Sequence, residues 1–265
     1  MKITRLFYFL LVVVLLSSCT GKFEKLLKSN DSDQKYKAAM EYYNKKKYNK
    51  AISLFDNIAL YYRGTPRDDS VNFYLAKSYF LDKDPYSAAH YFNTFRQTFP
   101  RSQFTEEASF LRCICLYETT YRPALDPKPT SQALAAINEF NYLYPSSAWK
   151  KELQPLYDEL SGRMDEKNFS SAKLYYTIEN YKAAFTALKT VLKDNPENRY
   201  REDILYLIMS SSYMIAKNSV PSKQKDRYQT VIDEYYNVIS EYPDSKHRKE
   251  VDRMHREALD FLEKK

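Results

Sequence analysis

Apolar residues recur along this chain at one fixed set of intervals. Counting from Ala39, they fall 3, 12, 16 and 19 residues on, at Tyr42, Ala51, Phe55 and Ile58. The same intervals lead from Ala76 through Tyr79, Ala88, Phe92 and Phe95, and from Ala172 through Tyr175, Ala184, Leu188 and Val191. In these two copies a proline follows at position 24, Pro100 and Pro196. Half-copies with the spacing 0, 4, 7 and 12 occur at Ala133, Ile137, Phe140 and Pro145, and at Val231, Tyr235, Val238 and Pro243. Intervals of three and four put residues on one face of an α-helix. Each copy therefore predicts two helices packed antiparallel, with a small residue at their close approach and an aromatic filling the gap beside it. One such pair cannot bury its own apolar stripe, so neighbours must stack to make a core. The expected fold class is all-α, a solenoid of about five helix pairs.

Punctuation between the pairs is regular too. Pro100-Arg101-Ser102, Pro145-Ser146-Ser147, Pro196-Glu197-Asn198 and Pro243-Asp244-Ser245 predict that proline ends one pair and Ser or Asn caps the next helix. The third and fifth pairs carry their first helices over Phe110–Tyr117 and Leu205–Tyr213 and lack the small residue at its usual place. The insertions Arg122–Thr130 and Asn218–Arg227 contain prolines that cannot continue a helix, and both read as loops. Residues 148–160, with Trp149, Leu153, Leu156 and Leu160 on one side, predict a helix that joins two sub-arrays, 33–145 and 168–262. The expected domains are 33–145 with three repeats, and 146–265 with the connecting helix and two more.

The first twenty residues follow a different pattern. Lys2 and Arg5 precede an apolar run, Leu6–Leu16, and small residues, Ser17-Ser18, before Cys19. That is the form of a secretory signal. As a helix the run reaches about 16 Å, against about 30 Å of hydrocarbon core, so it is too short to span stably. Leu16-Ser17-Ser18-Cys19 resembles the bacterial lipoprotein box. The resemblance implies removal of residues 1–18, acylation of Cys19, and a tether over 19–32. Several acyl chains hold a protein on a bilayer where one alone is marginal.

Composition narrows the chemistry. The chain has only three glycines, at 21, 64 and 162, which excludes glycine-rich phosphate loops. The formal charge of +7 becomes +5 when Lys2 and Arg5 leave with the signal. Bases and acids are mixed in both halves, unlike the concentrated basic face of a nucleic-acid binder. Lys45-Lys46-Lys47 with Lys50, and His247-Arg248-Lys249, are the densest basic clusters; the first lies close enough to Cys19 to meet anionic headgroups. Cys113 and Cys115, two apart on a helix, point about 200° away from each other and cannot form a disulfide without breaking it. His90, His247 and His255 lack metal-ligand spacing. No nucleophile–base arrangement or carboxylate pair stands out, and no enzyme activity, cofactor, metal or nucleic-acid partner is expected.

The 3/12/16/19/24 spacing resembles the tetratricopeptide repeat. Placed behind Cys19, with an Asp126-Pro127 insertion and the boxes Phe99–Ser102, Tyr144–Ser147 and Tyr242–Ser245, it resembles the BamD family of outer-membrane assembly lipoproteins over essentially the whole mature chain. The resemblance implies a lipid-anchored protein on the periplasmic face of the outer membrane. Its partners would be the POTRA domains of the β-barrel core subunit, met by the C-terminal repeats, and unfolded outer-membrane proteins, met by the N-terminal ones. The basic residue that family members use on the second helix of the fourth repeat falls on Ala187. Lys182, Lys189 and Lys193 nearby are the candidate docking residues. In such arrays the first helices line a concave groove, which implies Tyr36, Met40, Tyr43, Phe73, Lys77, Phe80, Cys113 and Tyr117 as its lining. We expect this trough to accept an extended peptide with an aromatic end, its carboxylate near Lys77. The competing functional classes are a general periplasmic adaptor for cell-wall or division proteins and a carbohydrate-capture lipoprotein.

Overall fold

The computed structural model describes residues 21–264, so the signal and Cys19 lie outside the described residues. Residues 21–27 are helical. Beyond them run α1 (Ser32–Asn44), α2 (Tyr48–Ala59), α3 (Asp68–Leu81), α4 (Pro85–Thr98), α5 (Thr105–Glu118) and α6 (Lys128–Leu143). The long α7 (Lys150–Thr177) leads to α8 (Tyr181–Asp194), α9 (Arg201–Lys217), α10 (Pro221–Glu241) and α11 (Arg248–Glu263). No strand occurs among the described residues. The chain forms two compact units: one runs to Thr120 and takes in Pro129–Tyr157, and the other holds Tyr121–Lys128 and everything from Asp158. In the first, α1 packs on α2, α2 on α3, α3 on α4 and α4 on α5; in the second, α8, α9, α10 and α11 pack in sequence. These are the stacked helix pairs of a tetratricopeptide-like array.

The close-approach positions are all buried. Ala39, Ala76 and Ala172 have counterparts in Cys113, which is 37 residues after Ala76, and in Met209, 37 after Ala172. The third pair therefore does have its small residue, a cysteine, and the fifth accommodates a flexible methionine there. Cys113 is core, not groove lining.

Three residues before each of these positions stands an aromatic ring, and it has the same kind of partner each time. Phe73 stacks on Phe104 (centroids 4.5 Å apart, planes 11° from parallel), Phe110 on Trp149 (5.1 Å, 11°), Phe169 on Tyr200 (4.8 Å, 12°) and Tyr206 on His247 (3.9 Å, 9°). In the first pair the planar guanidinium of Arg67 takes that role, 5.2 Å from the Tyr36 ring. Arg67, Phe104, Tyr200 and His247 are the N-cap residues of the helices that follow pairs one, two, four and five, and none makes a side-chain capping bond. The repeat thus gives up the usual polar cap, worth about 1 kcal/mol, for a flat group that stacks on its neighbour.

The Ser and Asn residues of the boxes, expected as caps, act two residues earlier. Ser102 Oγ, Ser147 Oγ, Asn198 Oδ1 and Ser245 Oγ accept from the backbone N–H two positions on, closing tight turns. Three also reach back to the preceding pair. The Ser102 hydroxyl donates to Asp69 (2.7 Å), Asn198 Nδ2 to Asp165 (3.2 Å) and the Ser245 hydroxyl to Glu202 (2.7 Å). Each carboxylate lies seven residues before its pair's close-approach residue.

Within pairs one, two and four the turn is a Schellman motif closed by a non-glycine residue. Lys46, Lys83 and Glu179 have φ of 57°, 66° and 60°. The N–H groups of Lys47, Asp84 and Asn180 bond to the carbonyls of Tyr42, Tyr79 and Tyr175, five residues back. Asp84 and Asn180 then cap the second helix through the N–H groups of Ser87 and Ala183.

Two expected loops are shorter. α10 begins at Pro221, so only residues 218–220 connect α9 to it, and α6 begins at Lys128 with Pro129 in its first turn. Proline is compatible with a first turn because the N–H it lacks would be unpaired there. The connecting helix and the first helix of the fourth pair are one element, α7, with Pro155 near its start. Gly162 on this helix lets the Arg199 guanidinium lie against it; a Cβ there would meet Arg199 Nη2 at 1.8 Å.

Candidate protein-binding surfaces

The residues expected to line an aromatic trough lie on α1, α3 and α5 of the first unit. Tyr36, Met40, Tyr43, Lys77, Phe80 and Tyr117 are half-buried. Tyr36 also packs on Tyr62, at 5.9 Å, and Tyr43 stands edge-on to Tyr74 and Tyr48 at 5.1 and 5.9 Å. Burial, then the neighbouring Tyr74, Tyr48 and Glu107, push the Tyr43 hydroxyl well above the usual tyrosine range, so it stays a neutral hydrogen-bonding group. Phe73 differs from the rest. It is 1% exposed, enclosed by Phe104, Phe95 and Phe92. Its ring belongs to the stack between pairs and does not line the trough. Lys77 bonds Glu107 at 2.6 Å and lies over Phe73 at 5.4 Å. An incoming carboxylate would compete with Glu107 for that ammonium group.

The second unit presents a different surface on its fourth pair. Lys189 binds the buried carboxylate of Glu234 at 2.8 Å, and Asn237 donates to the same carboxylate. Lys189 thereby joins α8 to α10, whereas Lys182 and Lys193 are exposed. An open cleft of about 570 Å³ runs between the C-terminal half of α7 and α8. It is lined by Leu174, Tyr175, Ile178, Ala187 and Val191, with Asn168, Ser171 and Asp194 among its polar residues. Leu174, Tyr175 and Ile178 are 59%, 44% and 61% exposed.

In pair one Phe23, Leu26 and Leu27 pack on the core, with Phe23 edge-on to Tyr42, the counterpart of Tyr175. The cleft went unnoticed in the sequence, yet a signal was there. Leu174 and Ile178 occupy repeat positions that carry Glu41 and Lys45 in pair one, and Ser78 and Asp82 in pair two. Pair three carries Cys115 and Thr119 there and pair five Ser211 and Ile215. The fourth pair differs in that both of its residues are apolar and exposed, and an exposed apolar patch marks a face meant to be covered.

A family model described as YfiO, outer membrane lipoprotein, matches residues 28–227. No curated protein sequence matches the chain. Among solved structures, a thermophilic TPR protein from Thermus thermophilus is similar over 86% of this chain and 98% of its own, with 14% identity and a TM-score of 0.34.

Proposed function

The chain belongs to the YfiO family of outer membrane lipoproteins, and we propose that it is a non-catalytic scaffold of the β-barrel assembly machinery. In this reading Cys19 carries the lipid and holds the protein on the periplasmic face of the outer membrane. The observation that carries the docking part is the uncovered apolar face of the fourth pair. An array normally closes its ends with polar surface, so Leu174, Tyr175 and Ile178 favour a partner over solvent. The POTRA domains of the barrel core subunit are the partner we assign to it. Ala187 lies within the cleft, and Lys182 and Lys193 are exposed on the same helix, α8. Lys189 is paired with Glu234 and would take part by exchanging that carboxylate for one of the partner's.

The trough of Tyr36, Met40, Tyr43, Phe80 and Tyr117 receives unfolded outer-membrane proteins in this scheme. Aromatic side chains give large contact area at low entropic cost, which suits a site that takes many sequences. Lys77, already paired, contributes by exchanging Glu107 for a peptide carboxylate.

Affinity purification of the detergent-extracted native protein, followed by mass spectrometry, tests the scaffold reading. A stoichiometric POTRA-bearing barrel subunit is expected, and Leu174→Asp with Ile178→Asp should remove it from the eluate. Recovery of wall-remodelling enzymes in its place would move the function to a general periplasmic adaptor. For the trough, Tyr43→Ser with Phe80→Ser should weaken binding of a barrel protein's C-terminal peptide; unchanged affinity in a folded double variant counts against it.

A further inference from the structure

The positive charge of this chain is unevenly placed. Residues 21–50 carry nine lysines against Glu24, Asp31, Asp33 and Glu41. Residues 51–265 carry 30 bases and 30 acids. The whole surplus of +5 that remains without Lys2 and Arg5 therefore belongs to thirty residues next to Cys19.

The fold gathers much of that surplus at one end of the first helix pair. The Phe23 ring stands 5.7 Å from Tyr42, and Lys50 Nζ lies 5.1 and 5.4 Å from the centroids of Phe23 and Tyr42. Tyr42 is in the last turn of α1 and Lys50 in the first turn of α2. The segment that follows Cys19 is thus docked beside the turn made by Lys45, Lys46 and Lys47. All three are exposed, as are Lys22 and Lys25; Lys45 shares its charge with Glu41. Because α2 lies antiparallel between α1 and α3, the α3–α4 turn falls at the same end. It contributes the exposed Lys83 and, at 64% exposure, Tyr86. Of its acids, Asp84 is engaged as the cap of α4. An exposed tyrosine among lysines is the composition of a membrane–water interface.

We propose that this end of the first two helix pairs is a membrane-facing edge, with Lys22, Lys25, Lys45, Lys46, Lys47 and Lys83 resting on anionic phospholipid headgroups. The proposal takes the position of the bilayer from the reading of Cys19 as the lipid attachment site. The headgroup contact itself is a separate interaction. The attraction decays within about 8 Å at physiological salt, so only an edge held beside the bilayer can use it. Acyl chains with a basic patch form a two-signal anchor, and the contact would also orient the array on the membrane.

The test is lysine acetylation of the native chain in nanodiscs of phosphatidylcholine alone and of phosphatidylcholine with phosphatidylglycerol. In the anionic discs, labelling of Lys45, Lys46 and Lys47 is expected to slow by about fivefold or more, while Lys182 and Lys193 label at equal rates in both. Protection is expected to vanish in high salt. The combined variant Lys45→Glu, Lys46→Glu and Lys47→Glu should sediment with anionic vesicles at least about tenfold more weakly. Mass spectrometry of the N-terminal peptide reads acylation in the same samples and keeps the two readings apart. An unacylated chain that still sediments with anionic but not neutral vesicles retains the lysine edge and loses the anchor. Equal labelling of the three lysines in both lipids, or undiminished vesicle binding by the variant, overturns the proposal.

Discussion

Phe73 and Phe104 lie face to face, their centroids 4.5 Å apart and their planes 11° from parallel. One ring belongs to the first helix of pair two, and the other begins the first helix of pair three. The same relationship returns at Phe110–Trp149, Phe169–Tyr200 and Tyr206–His247. It is the recurring device by which one pair sets the position of the next. Phe104→Ala should destabilise the protein by about 2–3 kcal/mol, and Phe104→Leu, which keeps much of the apolar area, by about 1 kcal/mol. Urea unfolding measures both. A loss under about 0.5 kcal/mol for the alanine variant would mean the stack contributes little.

The buried Asp165 carboxylate accepts from Asn195 Nδ2 (2.7 Å), Asn198 Nδ2 (3.2 Å) and the Arg199 N–H (3.3 Å). Asn198 is 2% exposed, so removing its acceptor strands a buried amide. Asp165→Ala should cost about 2 kcal/mol, and Asp69→Ala, whose partner Ser102 is less buried, about 1 kcal/mol or less. The ranking is the prediction; thermal unfolding of the two variants checks it.

Glu179 holds φ at 60°, where a side chain crowds the backbone. Glycine has no Cβ to crowd, and the position is the one it favours at helix ends. Glu179→Gly should raise stability by about 0.5–1 kcal/mol despite the greater freedom of an unfolded glycine. A destabilised variant would show that the Glu179 side chain does something the turn geometry does not require.

Burial pushes both the Cys113 and Cys115 thiols up to about 12. The reactive thiolate is therefore scarce at pH 8. Iodoacetamide should leave both residues unmodified in the folded protein and alkylate both in urea. Labelling of the native state at the unfolded rate would contradict the buried environment.

Hydrogen bonding from Arg201, at 2.6 and 2.7 Å, holds the Glu241 carboxyl below its ordinary value of 4.5. A carboxylate whose folded pKa is lowered stabilises the fold above its unfolded pKa, and that contribution is lost as the pH falls. Stability should therefore fall below pH about 4.5, and Glu241→Gln should flatten that part of the profile. Denaturant titrations at pH 6, 4.5 and 3.5 give the comparison; parallel profiles would remove the pair from the acid response.

The periodic positions of the sequence determined the helix pairs, their order and the alanines at their close approach, because helical periodicity and side-chain volume are local properties. Sequence placed Tyr36, Tyr43, Lys77 and Phe80 on first helices for the same reason. Whether a first-helix ring faces a trough or a neighbour was decided by the next pair: Phe73 is covered by Phe104, thirty-one residues on. The pairing of Lys189 with Glu234, forty-five residues away, likewise depends on how α8 and α10 are stacked. Pro221 could start a helix or sit in a loop, and only the packing of α10 against its neighbours selected the helix. The apolar face at Leu174 and Ile178 was written in the sequence, but its exposure was not. Burial belongs to the assembled surfaces, and no single stretch of chain contains the partner that provides it.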